Sequence, residues 1–354
     1  MKRLKIIGLI FIIIITYNTI RILDQAGVFT SIEPVNAGKE AVIASPPGIE
    51  DIAIDNETGF AYLSSEDRRK PGSRGDIYLM NLNDSTGKMV NLTAGFPKKD
   101  FRPHGISFLK TPEGKKLLFV ISHGDNKNVV EQFEIKGDSL KHIKNYSSSQ
   151  FISPNDLLAI GQDQFYITND HTRKKDLLRT LGDFIQFPSG NVLYYDGTRA
   201  KQVSEGIPYA NGINISLDKT TIFVTSTTTN KILAYEPAME TYELKPVYSY
   251  DLGYSPDNID VDSKGHLWIA CHPKTLRFLK HVKKASERSP SAVLEVIYQP
   301  QYSGKFSQNL HYLNDGDPLS GSSVAAVYDR KQGKTILVGS VFESKILKFE
   351  RDKP

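Results

Sequence analysis

Six times along this chain one short phrase recurs: a pair of polar residues, an apolar run, a turn, and a second apolar run. The pairs are Glu50-Asp51, His104-Gly105, Asn155-Asp156, Asn211-Gly212, Asp257-Asn258 and Ser322-Ser323. Typical copies lie about 50–55 residues apart, a period that belongs to propeller-type arrays. One such sheet cannot bury both of its faces, whereas six stacked around an axis bury them mutually and leave only short edges. The Val, Ile, Phe and Tyr of the runs suit sheets covered on both sides. The expected fold is therefore all-β, a six-bladed β-propeller. To close the ring, residues 39–45 (KEAVIAS) are expected to pair with the C-terminal strand around Ser344–Glu350.

The N-terminus lies outside this pattern. Lys2-Arg3-Leu4-Lys5 precedes IIGLIFIIII at residues 6–15, the n-region and h-region of a secretory signal. Thr16-Tyr17-Asn18-Thr19 makes a poor cleavage site, so the segment reads as a retained transmembrane signal-anchor helix. The window Leu4–Leu23 gives about 20 residues, roughly one bilayer crossing. Its leading basic residues place the N-terminus inside and the body outside. The expected division is a signal anchor over 1–25 and a propeller over 26–354. The body then faces the periplasm, the cell surface or the secretory lumen, or is secreted.

Charge narrows the function classes. The chain carries 44 Lys+Arg against 40 Asp+Glu. Removing Lys2, Arg3, Lys5 and Arg21 leaves 44 − 4 = 40 against 40, a neutral body unlike that of a nucleic-acid binder. The single cysteine, Cys271, excludes an intrachain disulfide, a cysteine-based zinc site and an iron–sulfur cluster.

Two stretches carry helical spacing, Thr172–Phe187 (TRKKDLLRTLGDFIQF) and Leu276–Ala285 (LRFLKHVKKA). The plainer expectation is a surface helix packing its apolar stripe on a blade. The alternative is a lid, or a second membrane contact.

In a propeller the innermost strand of each blade lines the axis, so the six polar pairs converge there at one height. They bring carboxylates from Glu50, Asp51, Asp156 and Asp257 and amides from Asn155, Asn211 and Asn258. Singly, such pairs are ordinary turn residues. As a set they are hard oxygen donors of mixed charge, suited to Ca²⁺, which takes about 6–8 oxygens. Zinc would ask for more His or Cys. Four carboxylates crowded together also need a cation between them.

The strings GIEDIAID (48–55), RPHGISF (102–108), SPNDLLAI (153–160), TNDH (168–171), YANGINIS (209–216), DNIDVD (257–262), LWIACHP (267–273) and GSVF (339–342) stand in the order of a known family. The body resembles the serum paraoxonase/arylesterase family of calcium-dependent lactonases. That resemblance implies two calcium ions. A catalytic one would be held by Glu50, Asn155, Asn211, Asp257 and Asn258. A structural one would be held by Asp51, Asp156 and the backbone carbonyl of Ile106. It also implies a histidine dyad, His104 as the base that activates water and His123 tuning it. His171 and His272 match pocket-lining positions. Cys271 matches a free cysteine beside the pocket, and its plainer role is a small buried apolar residue. The chain departs from the family in lacking the disulfide that ties N- to C-terminal strands. It departs again at Ser65–Gly75 (SEDRRKPGSRG), a more basic pocket flank.

The function implied is calcium-dependent hydrolysis of small-molecule lactones and aryl esters, through metal polarisation of the carbonyl and His-activated water. No G-x-S-x-G elbow suggests a serine nucleophile. Two alternatives stand beside it. One is a gluconolactonase-like sugar lactonase using one metal. The other is a non-catalytic, calcium-stabilised, membrane-tethered binding propeller, because fold does not fix function.

Overall fold

A computed structural model describes residues 2–36, 38–302 and 305–352. Six antiparallel sheets form the blades of a six-bladed β-propeller. Their innermost strands are Ile49–Asp55, Pro103–Lys110, Pro154–Gly161, Ala210–Ile215, Ser255–Val261 and Ser322–Arg330, blades 1 to 6 in that order. Each carries its polar pair near its start, so the repeat in the sequence is the repeat of the structure. Blade 6 closes the ring as expected: Lys39–Ala44 pairs antiparallel with Lys345–Asp352, Val42 opposite Leu347. The ring thus closes by main-chain pairing without a disulfide.

The core is divided as a propeller requires. Each of six apolar clusters lies between two adjacent blades. Phe119 and Leu117 of blade 2 meet Phe165 and Leu193 of blade 3, for example. Trp268 and Val293 of blade 5 meet Val327 and Ile336 of blade 6. Burying each such side chain contributes roughly 1.5–3 kcal/mol. Cys271 is fully buried in the cluster between blades 4 and 5, and burial pushes its thiol pKa up, so it is a packing residue.

Around the axis the innermost strands are stapled by polar side chains. Asp51 Oδ2 accepts from Ile106 N at 2.7 Å, and Ser107 Oγ accepts from Ala159 N at 3.0 Å. Asp156 Oδ2 accepts from Ile213 N at 2.8 Å, and Asn214 Nδ2 donates to Ile259 O at 2.9 Å. Asp260 Oδ2 accepts from Val327 N at 2.7 Å, and Ser323 Oγ donates to Glu50 O at 2.7 Å. A cavity of about 310 Å³, lined by Asp51, Ile106, Asp156, Asn214 and Asp260 among others, occupies the tunnel below the pairs.

Among the described residues, three α-helices stand off the blades: α1 (Lys2–Gln25), α2 (Leu177–Phe184) and α3 (Thr275–Lys283). In α1, Ile6 to Ile15 are exposed, and the helix is long and apolar enough to cross a membrane. Its end meets the propeller face. Ala26 O accepts from Thr275 N at 3.1 Å, and Gln25 O accepts from Asn230 Nδ2 at 2.9 Å. Helix α2 starts at Asp176, whose side chain caps Arg179 N at 2.7 Å. Here the packed-stripe expectation fails. Leu177, Leu178, Leu181, Phe184 and Ile185 are all exposed, because the helix is held from its polar side by Arg179 and Asp183. In α3 the expectation holds in part: Phe278 stacks on His272 while Leu276, Leu279 and Val282 stay partly open to solvent.

Candidate metal centre and active site

Glu50, Asp51, Asn155, Asp156, Asn211, Asp257 and Asn258 are all buried at the axis, between 2% and 7% exposed. Glycines bring them close. A Cβ on Gly105 would lie 2.5 Å from Asn155 O and 2.7 Å from the Cα of Asp156. One on Gly212 would lie 2.6 Å from Asp257 O and 2.8 Å from the Cα of Asn258. Two of the six pairs therefore carry glycine because the next blade's pair packs against their backbone. Further contacts continue the ring. Thr168 Oγ1 donates to Asn211 O at 2.7 Å, and Asn258 Nδ2 donates to Glu50 O and Oε1, both at 3.1 Å.

Within this ring four buried oxygens have no hydrogen-bond partner among the described residues: Glu50 Oε2, Asn155 Oδ1, Asn211 Oδ1 and Asn258 Oδ1. An unpartnered buried polar atom costs about 1–3 kcal/mol, so four together ask for a ligand. The donor sides of two of these amides are already engaged. Asn211 Nδ2 reaches Thr227 Oγ1 at 3.0 Å, and Asn258 Nδ2 reaches Glu50. The unpartnered buried atoms of these four residues are all oxygens, the donor type of a hard divalent cation. Asp257 is the fifth member of the expected catalytic set. Its Oδ2 accepts from His272 Nε2 at 3.0 Å, the carboxylate–histidine contact that fixes a ligand's orientation.

Asp51 and Asp156 form the second expected set, and their environments match. Asp51 Oδ1 accepts from Ile52 N and Oδ2 from Ile106 N. Asp156 Oδ1 accepts from Leu157 N and Oδ2 from Ile213 N. Each carboxylate oxygen keeps a further lone pair for a cation. Ile106 enters through its N–H here. Electrostatics point the same way. Burial, with added repulsion from Asp257 and Asp156, pushes the Glu50 pKa up to about 8 against the pull of Arg68. Burial, then repulsion from Glu50, raises Asp51 well above the carboxylate range, and burial with Asp51 does the same to Asp156. Their ionisation at neutral pH calls for compensating positive charge.

His104 and His123 lie beside this ring, their rings 4.9 Å apart and edge to face. His104 Nε2 faces Glu50 Oε1 at 3.6 Å. His123 Nδ1 donates to Asn128 Oδ1 at 2.9 Å, and the Asn128 amide in turn donates to Phe151 O and Ile152 O. Burial lowers both histidine pKa values, His104 the more strongly. His171 sits apart from the ligand ring. It is clasped between Asp170 at 2.9 Å and Asp183 of α2 at 2.6 Å, and Tyr209 packs on it. These contacts tie α2 to the face and hold His171 above its ordinary pKa although burial opposes protonation.

Reading the residues alone missed Arg68, Asn128, Thr227 and Asp183. Only Arg68 had a signal, the basic run at Ser65–Gly75. A separate group, Asp262, His266 and Glu295, has ligand atoms within 4.8 Å of one another at the opposite end of blade 5. Its oxygens are already engaged. Asp262 accepts from Trp268 Nε1 and Lys334, and Glu295 accepts from His266 and His311, so it forms a closed polar network.

Comparisons with known proteins place the chain in a family. The arylesterase family model matches residues 32–348. Serum paraoxonase/arylesterase 2 of Rattus norvegicus is 34% identical over 319 residues, 88% of this chain and 86% of the relative. Serum paraoxonase/arylesterase 1 of Homo sapiens is 33% identical over 308 residues, 83% of this chain and 84% of the relative. Serum paraoxonase/lactonase 3 of Oryctolagus cuniculus is 31% identical over 331 residues, 90% of this chain and 91% of the relative. Among solved structures, a putative gluconolactonase aligns at TM-score 0.54 and 12% identity, covering 89% of this chain and 93% of its own. A gluconolactonase from Xanthomonas campestris aligns at TM-score 0.53 and 14% identity, covering 91% and 95%. At such identities these two share the fold alone. The family match spans nearly the whole propeller, and the chain belongs to the arylesterase family.

Proposed function

We propose that this protein is a calcium-dependent hydrolase of lactones and aryl esters. Membership of the arylesterase family supports ester or lactone hydrolysis, and the relatives' names combine paraoxonase, arylesterase and lactonase. The single observation that carries the metal is the set of four buried, unpartnered oxygens on Glu50, Asn155, Asn211 and Asn258. With Asp257 they would hold the catalytic ion. Asp51, Asp156 and the Ile106 carbonyl would hold a structural one.

Calcium held by Glu50, Asn155, Asn211, Asp257 and Asn258 would supply Lewis acidity to the substrate carbonyl and to the charge that develops on its oxygen. The protein's own groups do the rest. His272 keeps Asp257 in one orientation, and Asn258 holds Glu50 from the side. The His104–His123 pair, adjacent to Glu50 and kept neutral by burial, receives the proton of the attacking water. Ring opening of a lactone then leaves a hydroxy acid.

Residues 1–25 are read as the signal anchor, with the body 26–354 extracytoplasmic or secreted. Gln186, just past α2, donates to Gln25 Oε1 at 2.6 Å, so the open apolar stripe of α2 lies beside the end of α1. That supports a membrane-facing side.

The test is lactone and aryl ester hydrolysis followed by pH-stat, with EDTA and calcium add-back. Activity that EDTA destroys and calcium restores is expected, with two ions per chain by elemental analysis. One ion per chain would favour the gluconolactonase-like alternative. A folded, calcium-binding protein inert on all these substrates would leave the non-catalytic propeller.

A further inference from the structure

Arg68 and Arg69, adjacent in the basic loop that follows Ser65, reach opposite anchors. The Arg68 guanidinium lies 3.2 Å from His104 Nδ1. It also donates to Gly48 O at 3.1 Å and Pro103 O at 3.0 Å, and its Nε is 3.7 Å from Glu66. Gly48 makes the room: at φ +63° its Cβ would fall 2.2 Å from Glu66 O and 3.1 Å from the Arg68 Nη1. Arg69 points the other way. It donates to Val282 O at 3.1 Å, lies 3.1 Å from His281 Nε2, and sits 4.6 Å over the Phe342 ring. Within the loop, Ser73 Oγ donates to Asp67 O at 2.8 Å, and Arg102 Nε donates to Ser73 O at 3.2 Å. The loop is thus a strap running from blade 2, across blade 1, to α3 and the blade-6 loop at Phe342.

We propose that Arg68 is a positioning residue that fixes the tautomer of His104, carried into place by the strap that Arg69 locks onto α3. The argument is donor and acceptor chemistry. A guanidinium has five N–H donors and no acceptor. The His104 Nδ1 against it must therefore be the bare, accepting nitrogen. The single proton of the neutral ring then sits on Nε2, the nitrogen facing Glu50. Asn128 fixes His123 in the opposite sense. Its amide nitrogen is committed to two carbonyls, so its Oδ1 takes the proton of His123 Nδ1. That leaves Nε2 as the accepting nitrogen of His123. The pair is polarised from outside: His104 donates at Nε2, and His123 Nε2 is the bare nitrogen left to take the water proton, the reverse of the roles that the family resemblance implies. The same logic locks the strap, because His281 Nδ1 gives its proton to Glu287 O at 2.7 Å and Nε2 accepts from Arg69.

This inference rests on the reading of His104 and His123 as the proton-handling pair, and its test separates the two. The probe is the calcium-loaded full chain in detergent, labelled with ¹⁵N-histidine, its His104 signals assigned with His104→Gln. Multiple-bond ¹⁵N–¹H spectra of the wild type should show His104 with bare Nδ1 and protonated Nε2. Arg68→Met should shift His104 towards a mixture of tautomers. It should also lower kcat about ten- to a hundredfold while KM moves less than about twofold. Arg69→Met, which frees the strap without touching His104, should give the same change in smaller degree. A proton on His104 Nδ1 in the wild type overturns the proposal, and that spectrum decides even where Arg68→Met does not fold. So does an Arg68→Met variant whose tautomer changes with no loss of kcat. If the spectra are as expected but the protein hydrolyses no ester or lactone, the tautomer lock stands and the hydrolase reading falls.

Discussion

Asn258 reaches past blade 6 to Glu50, its amide N–H 3.1 Å from both the main-chain oxygen and Oε1 of that residue. It can do so because the intervening pair is Ser322-Ser323, whose short side chains fill little of the axis, and Ser323 itself donates to Glu50 O. The contact commits the nitrogen of Asn258 and leaves its Oδ1 without a hydrogen-bond partner among the described residues. Asn258→Ala removes both that oxygen and the support of Glu50. Calcium affinity, measured by calorimetry, should fall, and kcat/KM should drop by about a hundredfold or more. Asp257→Ala and Asn211→Ala should abolish activity and weaken calcium binding. Wild-type calcium affinity and turnover in these variants would refute the ligand set.

Gly212 carries a backbone demand rather than a chemical one. Gly212→Ala would drive a methyl into Asp257 O and the Asn258 backbone, at 2.6 and 2.8 Å. Overpacking of this kind costs about 1–3 kcal/mol. Because the displaced residues are proposed ligands, thermal stability and calcium affinity should fall together. The same substitution at Gly72, with nothing within 4 Å, should leave calcium affinity unchanged.

Acid stability should depend on Glu295. Burial opposes its ionisation, but hydrogen bonds from His311, His266 and Asn309 outweigh burial and lower its pKa to about 2. A carboxylate held below its ordinary pKa binds fewer protons in the folded state than in the unfolded one. Its contribution is complete above the ordinary value of 4.5 and disappears as pH falls towards about 2. Glu295→Gln should therefore cost on the order of 2–3 kcal/mol at pH 7. The gap from wild type should narrow steadily below about pH 4.5 in urea titrations. A gap that is constant between pH 7 and pH 3 would show that the network acts through packing instead.

Starting the chain at residue 26 should release it from membranes while preserving the propeller. Among the described residues, two hydrogen bonds to the propeller face are lost, those of Asn230 and Gln186 with Gln25, along with the local backbone bonds of Ala26, Gly27 and Val28 to the end of α1. The expected loss is about 1 kcal/mol per hydrogen bond, small against a domain of this size. Fractionation of the full chain into carbonate-resistant membranes, against a soluble and active shortened form, checks this. Equal partition of both forms would assign the association to the exposed stripe of α2.

The sequence by itself determined the architecture and the chemical character of its centre. A six-fold phrase has few folds that bury both faces of every sheet, and strand pairing at residues 39–45 follows from the need to close that ring. Glu50, Asp51, Asn155, Asp156, Asn211, Asp257 and Asn258 were legible because they recur at one position of the repeat, and position in a repeat is position in space. Only the tertiary structure decided which oxygens are left bare, which histidine nitrogens carry protons, and where the apolar side of α2 faces. Those depend on contacts with no local trace. Arg68 meets His104 from 36 residues away, Arg69 meets His281 from 212, and Asn258 meets Glu50 from 208. The spacing of Leu177, Leu178, Leu181 and Phe184 signals a helix, but the side it presents is set by Arg179 and Asp183 gripping Asp170 and His171. Periodicity reports what a segment can bury, and its neighbours decide what it does bury.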